Sequence, residues 1–300
     1  MKKFITKIVL TIALPIVGLL AFLTLFFGNT DPFYLRFASP KQQNLILGTS
    51  RAAQGLKPEI FHNILEKKFL NYSFTNAHTP FGPVYFESVK RKHLKKKGGT
   101  FIITIDPWSL SSWTEVPNDF KNFRENTLCV GTTSNVDTNP NLEYLYKNFR
   151  DHYEHIILSP RSKMILHQDG WLEMKGINMD SAVVAKRIQE KVDTYMTTHL
   201  PDSKFSTLRL DYLIKTIEYL KSYGEVYLVR LPVHKDIMTI DNLLIPDFDN
   251  IVKSAIKKSD GYLDLTSLND SFIYTDGNHL VSKSGTEVST IVANWIAEKK

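Results

Sequence analysis

Two short stretches at opposite ends of a 300-residue chain carry residue types able to do nucleophilic chemistry. Near the start, Leu45, Ile46 and Leu47 run into Gly48, Thr49, Ser50 and Arg51. An apolar run that stops at small residues reads as a buried parallel strand followed by a tight turn. In an open α/β sheet, ligands bind beyond the carboxyl ends of the strands, so Ser50 stands where chemistry would be done. A serine hydroxyl alone is a weak nucleophile and needs a base that a third group orients. Near the far end, Asp276 and His279 flank Gly277 and Asn278 in a turn just before a helix-like segment.

Each residue also has a plain structural reading. Ser50 suits a helix N-cap, Asp276 beside Gly277 suits a turn, and a histidine in a turn is commonly a surface residue. The three together, each beside the right kind of element, favour Ser50 as a nucleophile. Arg51, His78, Asp106, Arg230 and His234 fall at or just beyond expected strand ends, on the same face. Arg51 and Arg230 read either as binders of an anionic substrate group or as partners of Asp106. Buried charges are rare unless paired, so pairing is the expectation. His78 and His234 are expected to satisfy loop carbonyls. No His-Glu-x-x-His spacing and no glycine-rich phosphate loop occurs, so neither a metal nor any other cofactor is expected.

The elements that must position these residues follow from periodicity. Short apolar runs predict strands at 44–47, 69–73, 100–105, 225–231 and 262–265. Helical spacing predicts helices at 57–67, 84–97, 182–195, 208–223, 248–257 and 283–297. The alternation argues for a three-layer, flavodoxin-like α/β domain with a central parallel sheet. Residues 111–181 break it and read as an insertion, with a helix at 142–157 and a turn at 167–172. Hydrophobic content of 43% and charged content of 23% describe a globular chain, not a disordered one. The net charge is +6, and Lys90, Arg91, Lys92, Lys95, Lys96 and Lys97 form a run. A solvated helix face explains that run better than a nucleic-acid contact, and no nucleic-acid partner is expected. The single cysteine, Cys129, excludes an internal disulfide.

Residues 8–27 carry no charge and are long enough to span a bilayer as a helix. Lys2, Lys3 and Lys7 precede them, which predicts the amino terminus inside and the rest outside the cytoplasm. No small-x-small cleavage site follows, so an uncleaved anchor is expected. The expected division is an anchor at 1–28, a linker at 29–42 and the α/β domain at 43–300.

A strand ending in Gly48-Thr49-Ser50, with Asp276-x-x-His279 near the end, resembles the SGNH (GDSL-like) hydrolase superfamily over about residues 43–295. The resemblance implies Ser50 as nucleophile, His279 as general base and Asp276 as the group orienting it. It also implies oxyanion donors from the serine N–H, a glycine after the second strand and an asparagine after the third. Here the third strand runs into Asp106, Pro107 and Trp108, and Asn76, after the second strand, is the nearest substitute amide. The implied function is a membrane-anchored esterase or O-acyltransferase acting on an acylated envelope glycan or lipid, with a membrane acyltransferase as a partner. The departure at Asp106 leaves open a non-catalytic accessory or binding protein of the same fold.

Overall fold

The structure, a computed structural model, describes residues 1–24, 31–148 and 163–299. Its centre is a five-stranded sheet of β1 (Asn44–Leu47), β2 (Phe69–Asn71), β3 (Gly99–Thr104), β4 (Gly224–Arg230) and β5 (Gly261–Asp264). The strand order is β2-β1-β3-β4-β5 and every pairing is parallel. All five carboxyl ends therefore open on one side, with the order reversing at β1 and β3.

Alternation along the strands divides the core in two. Leu45, Leu47, Phe101, Ile103, Val226 and Leu228 face one side, Ile46, Ile102, Tyr227 and Val229 the other. The first side is covered by α2 (Tyr34–Ala38), α5 (Pro83–Lys92) and α7 (Thr207–Lys221). The second is covered by α3 (Ser50–Gly55), α4 (Pro58–Leu65) and α9 (Ser282–Ala297). Two further helices matter for the site: α6 (Ser181–Thr194) and α8 (Lys235–Leu244). Ahead of the domain, α1 (Lys2–Thr24) is an exposed helix long and apolar enough to cross a membrane. Residues 25–27 of the expected span lie outside the described residues, as do residues 149–157 of the expected helix at 142–157, which is described as Leu142–Asn148.

Several elements differ from the sequence expectation. Residues 31–42, read as linker, are largely packed into the body, with Tyr34, Arg36 and Phe37 fully buried. Arg36 donates from Nε to Asn71 O at 3.0 Å, from Nη1 to Pro32 O at 2.7 Å and from Nη2 to Gly170 O at 2.6 Å. Tyr144 donates its hydroxyl to both Asp31 oxygens at 2.9 Å. A short aromatic segment with one arginine reads as a spacer because its partners are distant in sequence. The basic helix stops at Lys92 instead of 97, because Gln42 bridges to His93 and accepts from Leu94 N at 2.9 Å. Lys92 is not on a solvated face: it is buried, with Nζ donating to Ser39 Oγ at 2.9 Å and Val136 O at 2.6 Å.

The middle segment is fastened to the sheet. The hairpin Met164–Leu166 and Leu172–Met174 turns at Asp169 and Gly170, and Asn71 N donates to Asp169 O at 2.8 Å. A Cβ on Gly170 would lie 2.1 Å from Asn71 O, so the close approach requires glycine there. The turn thus covers the exposed edge of β2. Replacing Arg36 by Met should leave two buried carbonyls and one half-buried carbonyl unpaired and destabilise the domain by about 3 kcal/mol. Urea unfolding of a fragment starting at Asp31 checks this; a change near zero would mean that the segment is only a spacer.

Candidate active site

At the end of β1 the chain has no room for a side chain. Gly48 has φ +151°, and a Cβ there would fall 1.9 Å from Thr104 Oγ1 on the neighbouring strand. Thr49 follows as the N-cap of α3, but its hydroxyl donates to Asp106 Oδ2 at 3.1 Å instead of capping the helix. Ser50 is therefore the first helical residue and not the cap, and its side chain is released toward the face of the sheet. Its backbone N–H has no acceptor among the described residues, as is usual in the first helical turn.

The second part of the site is the turn after β5. His279 O accepts from Thr275 N at 2.8 Å, and Gly277 O accepts from His234 N at 2.8 Å. Gly277 has φ +83°, a left-handed conformation that suits glycine, and Leu280 is buried in the core beneath. Asp276 Oδ1 accepts from the backbone N–H of Asn278 at 3.1 Å and of His279 at 3.0 Å. These bonds fix a compact loop whose side chains point at α3.

The two parts meet. Ser50 Oγ lies 2.9 Å from His279 Nε2, and His279 Nδ1 lies 3.0 Å and 3.1 Å from the two Asp276 oxygens. A carboxylate only accepts, so Nδ1 carries the proton and Nε2 is left to accept from the serine hydroxyl. Burial alone would raise the Asp276 carboxyl, but His279 and Lys191 outweigh it and hold it well below the usual carboxylate range. Lys191 Nζ, on α6, is 3.1 Å from Asp276 Oδ2.

Beneath this row lies a buried polar network. Asn278 Nδ2 is 3.3 Å from His279 Nε2, and Asn278 Oδ1 accepts from Arg51 Nε at 2.9 Å. Arg51 also forms a two-pronged ion pair with Asp241, at 2.6 Å and 2.9 Å, and Trp108 Nε1 donates to Asp241 Oδ1 at 2.7 Å. Arg51 is 6% exposed, so it does not lie at a rim and cannot reach a substrate anion. Its partner is Asp241 instead of Asp106. Asp106 is likewise internal: besides Thr49 it accepts from Ser109 N at 2.8 Å and caps a short 3₁₀ turn. Burial raises its carboxyl, Arg51 opposing and Asp241 adding to the effect.

The remaining expected residues are arranged as follows. Asn76 is half-buried in the turn after β2 and makes no hydrogen bond to Ser50 or His279. His78 Nδ1 is 2.7 Å from Thr75 Oγ1, and its ring packs 4.3 Å from that of Phe33. Its ring bonds a hydroxyl and not the expected loop carbonyl. Arg230 is buried over the Phe248 ring, with Asp249 at 3.6 Å and Asp264 at 3.8 Å. Its charge is met by carboxylates other than Asp106. His234 caps α8, its Nδ1 accepting from Asp236 N at 3.4 Å, so its ring too bonds something other than a carbonyl.

Sequence reasoning missed Asp241, Asn278 and Lys191. A signal for the first exists: Ile237, Ile240 and Leu244 have helical spacing, and Asp241 falls on their stripe, where an acid needs a partner. Beside Asp276, a cavity of about 300 Å³ is lined by Arg187, Lys191, Tyr195 and His199. His199 also lines a neighbouring cavity of about 530 Å³ with Trp113, Arg124 and Lys204. Among the described residues, no group of three or more His, Cys, Asp or Glu side chains is placed to hold a metal ion.

No family model and no curated protein matches the chain. Among solved structures it is similar to the native aryl esterase of M. smegmatis, with a TM-score of 0.39 and 11% identity, covering 86% of this chain and 100% of that one. It is similar also to a carbohydrate acetylesterase family member from Sinorhizobium meliloti, with a TM-score of 0.37 and 8% identity, over 86% of this chain and 98% of that one.

The environment of His78 generates a pH prediction. Burial, helped by Arg124 and Arg36, pushes its imidazole down to about 4. The unfolded chain, near the ordinary value of about 6.5, then takes up the proton first as pH falls. Stability should be full above pH 6.5 and decline by about 2–3 kcal/mol between there and pH 4 through this residue. His78→Phe should flatten that part of the denaturation profile; an unchanged slope would remove His78 from the account.

Proposed function

We propose that this chain is a serine esterase or O-acyltransferase of the SGNH type, anchored by α1 with its α/β domain outside the cytoplasm, acting on an ester of an envelope glycan or lipid. The observation that carries the reading is the hydrogen-bonded row Ser50, His279, Asp276 at the carboxyl ends of one parallel sheet. The order of proton donors in that row suits a nucleophile, a base and an orienting acid.

In this reading Ser50 Oγ attacks the ester carbonyl while His279 Nε2 takes its proton. Asp276 stays ionised and steadies the imidazolium, as its lowered affinity for protons favours. Collapse of the tetrahedral intermediate breaks the bond to the alcohol, which leaves with the proton from Nε2. Water or a second alcohol then gives its proton to Nε2, attacks the acyl-serine, and Ser50 recovers its hydroxyl proton. The N–H of Ser50, at the start of α3, is the oxyanion donor that the local backbone supplies, with Asn76 the candidate for a second. Arg124, His199, Lys204 and Trp113 in the cavities beyond Asp276 support a polar, glycan-like alcohol part. Placement outside the cytoplasm rests on the charge-free span after Lys2, Lys3 and Lys7.

One observation favours the accessory-protein alternative: where the family has an asparagine after the third strand, this chain has the occupied carboxylate of Asp106. A fluorophosphonate probe separates the two readings. The full-length protein should be labelled at Ser50, and Ser50→Ala or His279→Ala should abolish labelling with a stability change below about 1 kcal/mol. An unlabelled wild-type protein would favour the accessory role. For the topology, a reporter active only in the cytoplasm, fused after Lys300, should be silent; activity from it would overturn the proposed orientation.

A further inference from the structure

Two groups lie within hydrogen-bond reach of His279 Nε2, and only one of them, Ser50, belongs to the row that performs the proposed reaction. The other, Asn278, reaches Nε2 from inside the protein and is itself 5% exposed. Which end of its amide faces the ring follows from chemistry. Arg51 has donors only, and its Nε is 2.9 Å from Asn278 Oδ1, so that atom must be the oxygen. The amide nitrogen is then left to donate toward Nε2, which Asp276 has already made the unprotonated nitrogen. Arg51 is fixed in turn by both oxygens of Asp241, and Asp241 by the indole of Trp108. Every atom in this chain of bonds has a defined direction, and Asp241 and Trp108 are 1% and 3% exposed.

We propose that Asn278, held by the Arg51–Asp241 ion pair, is a positioning residue for His279. Its N–H engages the Nε2 edge and keeps the ring in the plane that joins Ser50 to Asp276. Nε2 has one lone pair and the Ser50 hydroxyl, at 2.9 Å, is the nearer donor to it, so the amide at 3.3 Å steadies that edge of the unprotonated ring without taking the place of the serine. Asn278 and Arg51 flank His279 and Ser50 in sequence, and the bond between them ties the two parts of the site together from below. The buried ion pair thereby has a use beyond stability, to which such pairs contribute little net. The consequence for activity rests on the esterase reading; the consequence for the ring does not.

The test uses the full-length chain with ¹⁵N-labelled histidine in the Ser50→Ala background, where the serine no longer donates to Nε2. The His279 Nε2 signal should be displaced from the value of a free pyridine-type nitrogen, and should move toward that value in Ser50→Ala/Asn278→Ala. An unmoved signal overturns the proposal. With Ser50 present, Asn278→Ala should slow fluorophosphonate labelling on the order of 10- to 100-fold, with KM for a model ester unchanged. Labelling at the wild-type rate overturns it. The paired replacement Arg51→Met/Asp241→Leu removes both charges together. It should slow labelling as much as Asn278→Ala, and adding Asn278→Ala to it should slow it no further. Additive losses overturn the chain of bonds as the agent. Should the paired variant not fold, Asn278→Ala, which leaves the ion pair intact, decides alone. A wild-type protein that is not labelled, but whose Nε2 signal moves as expected, supports the positioning role and sinks the esterase reading.

Discussion

The packing of β1 against β3 at Gly48 is the constraint on which the site depends. Thr104 occupies the space where a side chain at position 48 would stand. The chain can therefore pass close to its neighbour and enter α3 with only Gly48 and Thr49 between strand and helix. That immediacy decides three directions in successive residues. Thr49 points down to Asp106, Ser50 points out to His279, and Arg51 points back inside to Asp241 and Asn278. A longer connection would leave these side chains free to choose, and none would be fixed by the strand.

The sheet was legible in the sequence because its first four strands are largely buried on both faces. Short apolar runs bounded by glycine or polar turns leave few alternatives, and the order of strands and helices then limits the topology. The meeting of Ser50 with the Asp276–His279 turn followed from the same logic, since parallel strands bring all their carboxyl ends to one side. Burial of the charges was less legible. Arg51 is paired, as expected, but its partner lies on α8, a helix outside the predicted set. The docked segment around Arg36 was missed for a related reason. It has too few residues for a period, and its hydrogen-bond partners are carbonyls, which every residue has and no sequence pattern announces.

Interior arginines recur as fasteners between segments that are far apart in the chain. Arg36 joins the start of the domain to β2 and to the hairpin turn. Arg51 joins α3, α8 and the Asp276–His279 turn. Arg209, on α7, bonds Glu125, Ser112 and Phe81 O within the middle segment's attachment. A planar guanidinium with several donors suits a junction where carbonyls or carboxylates converge from different directions. The middle segment, which the sequence marks as a break in the α/β pattern, is for this reason continuous with the body where it meets β2 and α7.

The docking of residues 31–39 also sets a length scale. Only residues 25–30 separate the end of α1 from Asp31, and a chain of that length spans at most about 25 Å when fully extended. Had the following residues been a free linker, the reach would have continued to β1. Because they are packed into the domain, the reach ends at Asp31. With α1 in a bilayer, as proposed above, the domain works close to the lipid surface and cannot patrol a thick polymer layer. Its substrates would then have to be presented at the membrane, as lipid-linked or newly exported material, before they move out of reach.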